Sequence, residues 1–183
     1  MRRRIWTVPN QITFLRLGII PFFIILISYE HYRWALLVLI LAGLSDGVDG
    51  LLARKLNQRS ALGAYLDPLA DKLLLSSSFL ILAFKGKIAW WLTIIVLGRD
   101  VLILAVAAAI ILIQGYRPFP PSFFGKSTTF FQIVMIFVAV FGAAYPHPHF
   151  VTAAYALTYL VPVLTIGSGF HYSFAMATRL HNS

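Results

Sequence analysis

The chain contains no cysteine, and only six of its 183 residues are acidic. Without thiols there can be no disulfide and no thiolate metal site. Charged residues make up 11% of the chain, where about a quarter is usual for a soluble domain. No internal repeat is visible and no period-two alternation runs far enough to suggest strands, so a β-architecture is not expected. Apolar residues are abundant: 60% are hydrophobic, 15% aromatic, and the mean hydropathy is +0.83. That is the composition of a polytopic membrane protein, of a length that suits a single domain over residues 1–183. The net charge of +9 fits a chain facing anionic lipid headgroups, and no nucleic-acid partner is expected. Arg2-Arg3-Arg4 before an apolar run resembles the start of a signal peptide. No small-residue cleavage site follows and Pro21 interrupts the run, so the segment is expected to stay in the mature protein.

Apolar runs of spanning length fall at 12–29, 34–54, 63–84, 88–114, 126–145 and 151–177. Charged or turn-forming breaks separate them: Glu30 with His31 and Arg33, Lys85-Gly86-Lys87, a proline-rich stretch from Gly115 to Gly125, and Pro146-His147-Pro148. The expected fold is all-α, with six transmembrane helices in one bundle around a polar cavity open to the cytoplasm. Six spans put both termini on one side. Nine cations belong to that side: Arg2, Arg3, Arg4, Arg54, Lys55, Arg59, Arg117, Lys126 and Arg179. Arg33, Lys85 and Lys87 belong to the other. The positive-inside rule therefore puts both termini in the cytoplasm, in the inner membrane of a bacterium or its equivalent. Trp6, Trp34, Trp90, Trp91 and Tyr145 near span ends read as an interfacial belt.

Four of the six acids, Asp46, Asp49, Asp67 and Asp71, fall within 26 positions of strongly apolar sequence. Each carboxylate at membrane depth costs about 2.5–3.5 kcal/mol, so a cationic group is expected among them. Asp46 and Asp49 are three apart, and Asp67 and Asp71 are four apart, so each pair lies on one helix face. A short loop joins the two helices, which are expected to pack as antiparallel neighbours and bring the pairs together. Oxygen donors without His or Cys favour Mg²⁺, Mn²⁺ or Ca²⁺. Gly47, Gly50, Ala53, Gly63 and Ala64 leave room beside the backbone for a ligand, and Arg54 can grip a phosphate with its forked guanidinium. Two other readings use the same residues. One is a structural salt-bridge network that includes Arg54, Lys72, Arg99 and Asp100; the other is a cation channel or transporter.

Residues 46–71 read D-x2-D-G-x2-A-R-x8-G-x3-D-x3-D, fixing eight positions in 26. This resembles the signature of the CDP-alcohol phosphotransferases, membrane enzymes of phospholipid synthesis. Val8-Pro9-Asn10-Gln11-Ile12-Thr13 and then Arg16 resemble the opening of the phosphatidylglycerophosphate synthase and cardiolipin synthase branches. Asn57 to Gly63, Asp67-Pro68-Leu69-Ala70-Asp71-Lys72 and Arg99-Asp100 are similar to the CMP-forming cardiolipin synthases. The resemblance implies a six-helix bundle, commonly a homodimer. It implies that Asp46, Asp49, Asp67 and Asp71 bind Mg²⁺ or Mn²⁺, and that Asp71 is also the general base. It implies that Gly50, Ala53 and Arg54, with Asp46, Asp49 and Asp67, hold CDP-diacylglycerol. An alcohol would attack the lipid-side phosphorus and CMP would leave. Arg16, Arg99, Arg117 and Lys126 are candidates for the acceptor's phosphate. As bland alternatives, Arg99 pairs with Asp100 and Arg117 is a solvated loop residue. The resemblance favours phosphatidylglycerol as acceptor, giving cardiolipin, with glycerol 3-phosphate as the alternative.

Overall fold

Six α-helices make up the described chain: α1 (Val8–Ser28), α2 (Tyr32–Lys55), α3 (Ala61–Phe84), α4 (Trp90–Gln114), α5 (Phe123–Ala144) and α6 (Pro148–His181). This computed structural model describes the backbone of residues 8–55, 61–114 and 123–181, and the side chains of 13–45, 69–105 and 125–169. Among the described residues there is no strand. The expected helices are all present with ends shifted by a few residues. α1 starts four residues earlier than the apolar run, because Pro9 suits the first turn, where no intrahelical N–H is needed. Pro21 does not interrupt α1, and Pro162 lies inside α6 in the same way. An apolar helix tolerates the lost N–H because neighbouring helices and local adjustment satisfy the freed carbonyl. Two helices in the described residues, Gly125–Ala144 and Pro148–Gly169, are long and apolar enough to cross a membrane by length and composition.

The chain divides into two compact units. One contains residues 1–87 and 139–146, the other 88–138 and 147–183. In the first unit α1 packs against both α2 and α3. The buried stripe of α1 is Thr13, Arg16, Phe23 and Ile27, at helical spacing. It is polar toward the N-terminal end and apolar toward the other. On α2, which packs against α1, the small side chains of Ala35 and Ala42 are both buried, and small residues let two helices approach closely.

Both α1 and α3 finish in Schellman caps. Glu30 N–H donates to Ile27 O (3.0 Å) and His31 N–H to Leu26 O (2.8 Å); Gly86 N–H donates to Ala83 O (3.0 Å) and Lys87 N–H to Leu82 O (2.8 Å). The pivotal residue of each cap is left-handed, with φ of 63° at Glu30 and 66° at Gly86. Gly86 adopts this freely, whereas Glu30 does so at a cost of roughly 1–2 kcal/mol.

In the second unit α4 packs on α6. Trp91 meets Tyr159 (ring centroids 6.5 Å apart) and Arg99 meets Ser168. The partner's number rises with the residue's own, so the two helices run parallel. Leu92, Thr93, Val96 and Asp100 form the buried stripe of α4, and Leu157, Val161, Thr165 and Ser168 that of α6. Thr128 of α5 donates to Leu164 O of α6 at 3.1 Å.

Candidate active site

α2 carries Asp46 and Asp49 one turn apart, followed by Gly50, Ala53 and Arg54 before its end at Lys55. α3 carries Asp67 and Asp71 one turn apart and continues through Pro68. The side chains of Asp46, Asp49, Gly50, Ala53, Arg54 and Asp67 lie outside the described residues, as does the whole of Arg117.

Asp71 is the signature acid whose surroundings are described. Its carboxylate accepts a hydrogen bond from the guanidinium of Arg16 on α1. The burial is lopsided: the Arg16 side chain is 1% exposed and that of Asp71 47%. Thr13, one turn before Arg16, and Ala70, next to Asp71, are both fully buried. The polar end of the α1 stripe therefore lies against α3 where Asp71 emerges. A buried arginine needs an anion close by, and Asp71 supplies one. The sequence offered Arg16 as a ligand for an acceptor's phosphate; the structure gives it a carboxylate of the signature. Thr13 was not singled out as a site residue, although its spacing from Arg16 in an apolar run was the available sign.

The donor chemistry suits a divalent cation. Four carboxylates in two pairs, on adjacent turns of two helices, are the kind of oxygen donor that Mg²⁺ and Mn²⁺ prefer. Among the described residues, which include Asp71 of the four acids, no three His, Cys, Asp or Glu side chains cluster as metal ligands.

Of the remaining acceptor candidates, Arg99 is tied into α4 and α6. It donates to Asp100 Oδ1 at 2.8 Å and twice to Ser168 Oγ, at 3.1 and 2.9 Å. The Arg99 and Asp100 side chains are 10% and 9% exposed, which makes this a buried, hydrogen-bonded pair. Arg99 also borders a groove of about 290 Å³ between the two helices, with Gly98, Thr165 and Gly169. Lys126 is exposed in the first turn of α5. Two turns beyond it, Gln132 is buried, and its amide nitrogen has no hydrogen-bond partner among the described residues.

A model of the CDP-alcohol phosphatidyltransferase family matches residues 6–167. A Streptomyces coelicolor protein named "Cardiolipin synthase (CMP-forming)" is 41% identical over 133 residues, covering 69% of this chain and 61% of its own length. The human protein of the same name is 36% identical over 151 residues, covering 72% of this chain and 49% of its own length. A Mycobacterium tuberculosis "Probable phosphatidylglycerophosphate synthase" is 33% identical over 172 residues, covering 90% of this chain and 80% of its own length. The chain spans 62% and 61% of the length of the first curated actinobacterial relatives it matches. The family match takes in the unbroken signature on α2 and α3 and the α1 arginine that meets its last acid, and the chain belongs to the CDP-alcohol phosphatidyltransferase family.

Proposed function

We propose that this chain transfers the phosphatidyl group of CDP-diacylglycerol to an alcohol with release of CMP, and that the alcohol is phosphatidylglycerol, so that the product is cardiolipin. The observation that carries the reading is the complete signature on two long helices, its last acid held by a buried arginine from a third. The relatives named as cardiolipin synthases support the acceptor. Glycerol 3-phosphate is the second reading, favoured by the named phosphatidylglycerophosphate synthase whose similarity covers 90% of this chain.

The working protein is proposed to be a bundle of six spans, commonly paired as a homodimer, with both termini and the site on the cytoplasmic side. Asp46, Asp49, Asp67 and Asp71 would hold Mg²⁺ or Mn²⁺, which when bound neutralises charge on the pyrophosphate and lowers the barrier to displacement. Arg54 adds positive charge beside the departing CMP phosphate, and Gly50 and Ala53 leave space for the nucleotide. The acceptor hydroxyl oxygen forms a bond to the lipid-side phosphorus as the bond from that phosphorus to the CMP oxygen breaks. The hydroxyl proton goes to Asp71, the acid proposed as base. Arg16 orients that carboxylate from behind, since its guanidinium is buried and the carboxylate is half exposed. Arg16 and Arg99 each bind a carboxylate, whereas Lys126 is exposed in the first turn of α5; Lys126 and, by sequence alone, Arg117 are the proposed contacts for the acceptor's phosphate.

The test is purified protein with CDP-diacylglycerol and Mg²⁺, supplied with either phosphatidylglycerol or glycerol 3-phosphate, and lipid products identified by mass. Cardiolipin is expected. Phosphatidylglycerophosphate would select the second acceptor, and absence of CMP release with both would refute the transfer reaction.

A further inference from the structure

Arg33, Lys85 and Lys87 all lie at one end of the first unit, where α1 and α3 finish and α2 begins. In the proposed orientation this is the non-cytoplasmic end, where the positive-inside rule disfavours cations. All three side chains are engaged. Lys85 reaches Glu30 at 3.5 Å. Lys87 Nζ stands 5.3 Å from the centre of the Tyr32 ring, and the Arg33 guanidinium 5.3 Å from that of Tyr145. A cation over an aromatic face is held in place without using its N–H donors, so Lys87 and Arg33 keep theirs for a ligand. Three cations stand against a single carboxylate, Glu30, and that carboxylate is committed to Lys85. Arg33 is also in the first turn of α2, the end of a helix at which a cation is disfavoured.

The surroundings give the missing anion its character. A cavity of about 280 Å³ opens here, lined by residues 30–34 and 143–144. Trp34 lines it, and Tyr29, Phe84 and Tyr145, next in sequence to residues at this end, are exposed, the mixture of amphipathic and apolar side chains that sits at headgroup depth. Tyr32 remains a neutral phenol, because burial and the Glu30 carboxylate both push its pKa above the ordinary value. The frame is rigid: the caps of α1 and α3 pin both helix ends, and Glu30 is kept in a left-handed conformation in which glycine would be free of strain. Strain of this kind tends to be kept where a side chain has work to do, and here Glu30 both lines the cavity and pairs with Lys85.

We infer that this end of the first unit is a binding site for the phosphate headgroup of an anionic phospholipid, with Arg33 and Lys87 as its principal contacts. The inference rests on the membrane-spanning reading and is independent of the transfer chemistry.

The test uses the full chain in detergent micelles doped with phosphatidylserine, which is neither the proposed donor nor either acceptor, or with phosphatidylcholine. Retained lipid is counted by native mass spectrometry. The wild type should retain phosphatidylserine over phosphatidylcholine. Arg33→Gln combined with Lys87→Gln should weaken that retention on the order of tenfold or more, given the contribution of each basic residue at an anionic surface, and Arg33→Lys should keep most of it. Equal retention of the two lipids by the wild type, or unchanged retention by the double variant, would overturn the site. Complete displacement of the lipid by millimolar inorganic phosphate would also overturn it, showing a site for a free anion. CMP release assayed on the same samples should be unchanged in the double variant. A wild type that retains phosphatidylserine selectively but releases no CMP would refute the transfer reaction and leave the lipid site standing.

Discussion

The contact between Arg16 and Asp71 makes an asymmetric prediction about stability. The Arg16 side chain is 1% exposed and that of Asp71 47%. Deleting one member of a buried ion pair costs about 3–5 kcal/mol when a buried charge is left behind. Asp71→Asn takes a carboxylate from a guanidinium that water cannot reach. Its expected cost is about 3 kcal/mol, at the lower end of that range because polar contacts between membrane helices average well under 1 kcal/mol. Arg16→Met leaves a carboxylate that is already half in solvent and can hydrate, and methionine fills much of the vacated volume. Its expected cost is about 1 kcal/mol, the scale of one hydrogen bond lost at a partly exposed site. The double variant should be more stable than Asp71→Asn alone, because it removes the buried charge together with its partner. The coupling read from the four proteins should be on the order of 2 kcal/mol. The assay is reversible unfolding in mixed micelles followed by helical circular dichroism, with CMP release measured alongside. Equal costs for the two single variants, or costs that simply add, would refute the reasoning that the buried guanidinium depends on this carboxylate. All variants that lack Asp71 should be inactive whatever their stability, which separates its proposed catalytic role from its role in the pair.

Three further outcomes are expected. Arg54→Ala should raise the KM for CDP-diacylglycerol about tenfold or more, with a smaller change in kcat, because a charge-assisted phosphate contact is worth about 1.5–3 kcal/mol; unchanged kinetics would remove Arg54 from the nucleotide pocket. Glu30→Gly should leave stability equal or raise it by up to about 1 kcal/mol, as relief of left-handed strain outweighs an exposed ion pair; a clear fall in the unfolding midpoint would show that the Glu30 side chain stabilises the turn. The absence of cysteine makes the chain ready for accessibility mapping: a cysteine at Ser60 should be labelled from the cytoplasmic side and one at His147 from the opposite side, and labelling of both from one side would refute the six-span orientation.

The sequence by itself determined the helices and the family. Apolar runs of spanning length, cut by Lys85-Gly86-Lys87 and Pro146-His147-Pro148, placed all six helices to within a few residues in the described chain, because helix-forming runs and their breakers are local in sequence. The eight-position signature marked the family, because its spacing is a property of two consecutive helices that needs no knowledge of their packing. Pro21 lies inside the expected span 12–29 and stays inside α1, since whether a proline breaks a helix depends on what surrounds the freed carbonyl. Partnerships between distant residues were decided only by tertiary structure. That Arg16 meets Asp71, 55 positions away, follows from α1 packing against α3. That Arg99 holds Ser168 as well as Asp100 follows from the parallel register of α4 and α6. Charges in apolar helices must find partners, and the sequence showed which charges those were; which partner each found depended on helix faces brought together over long separations, where residue spacing carries no information.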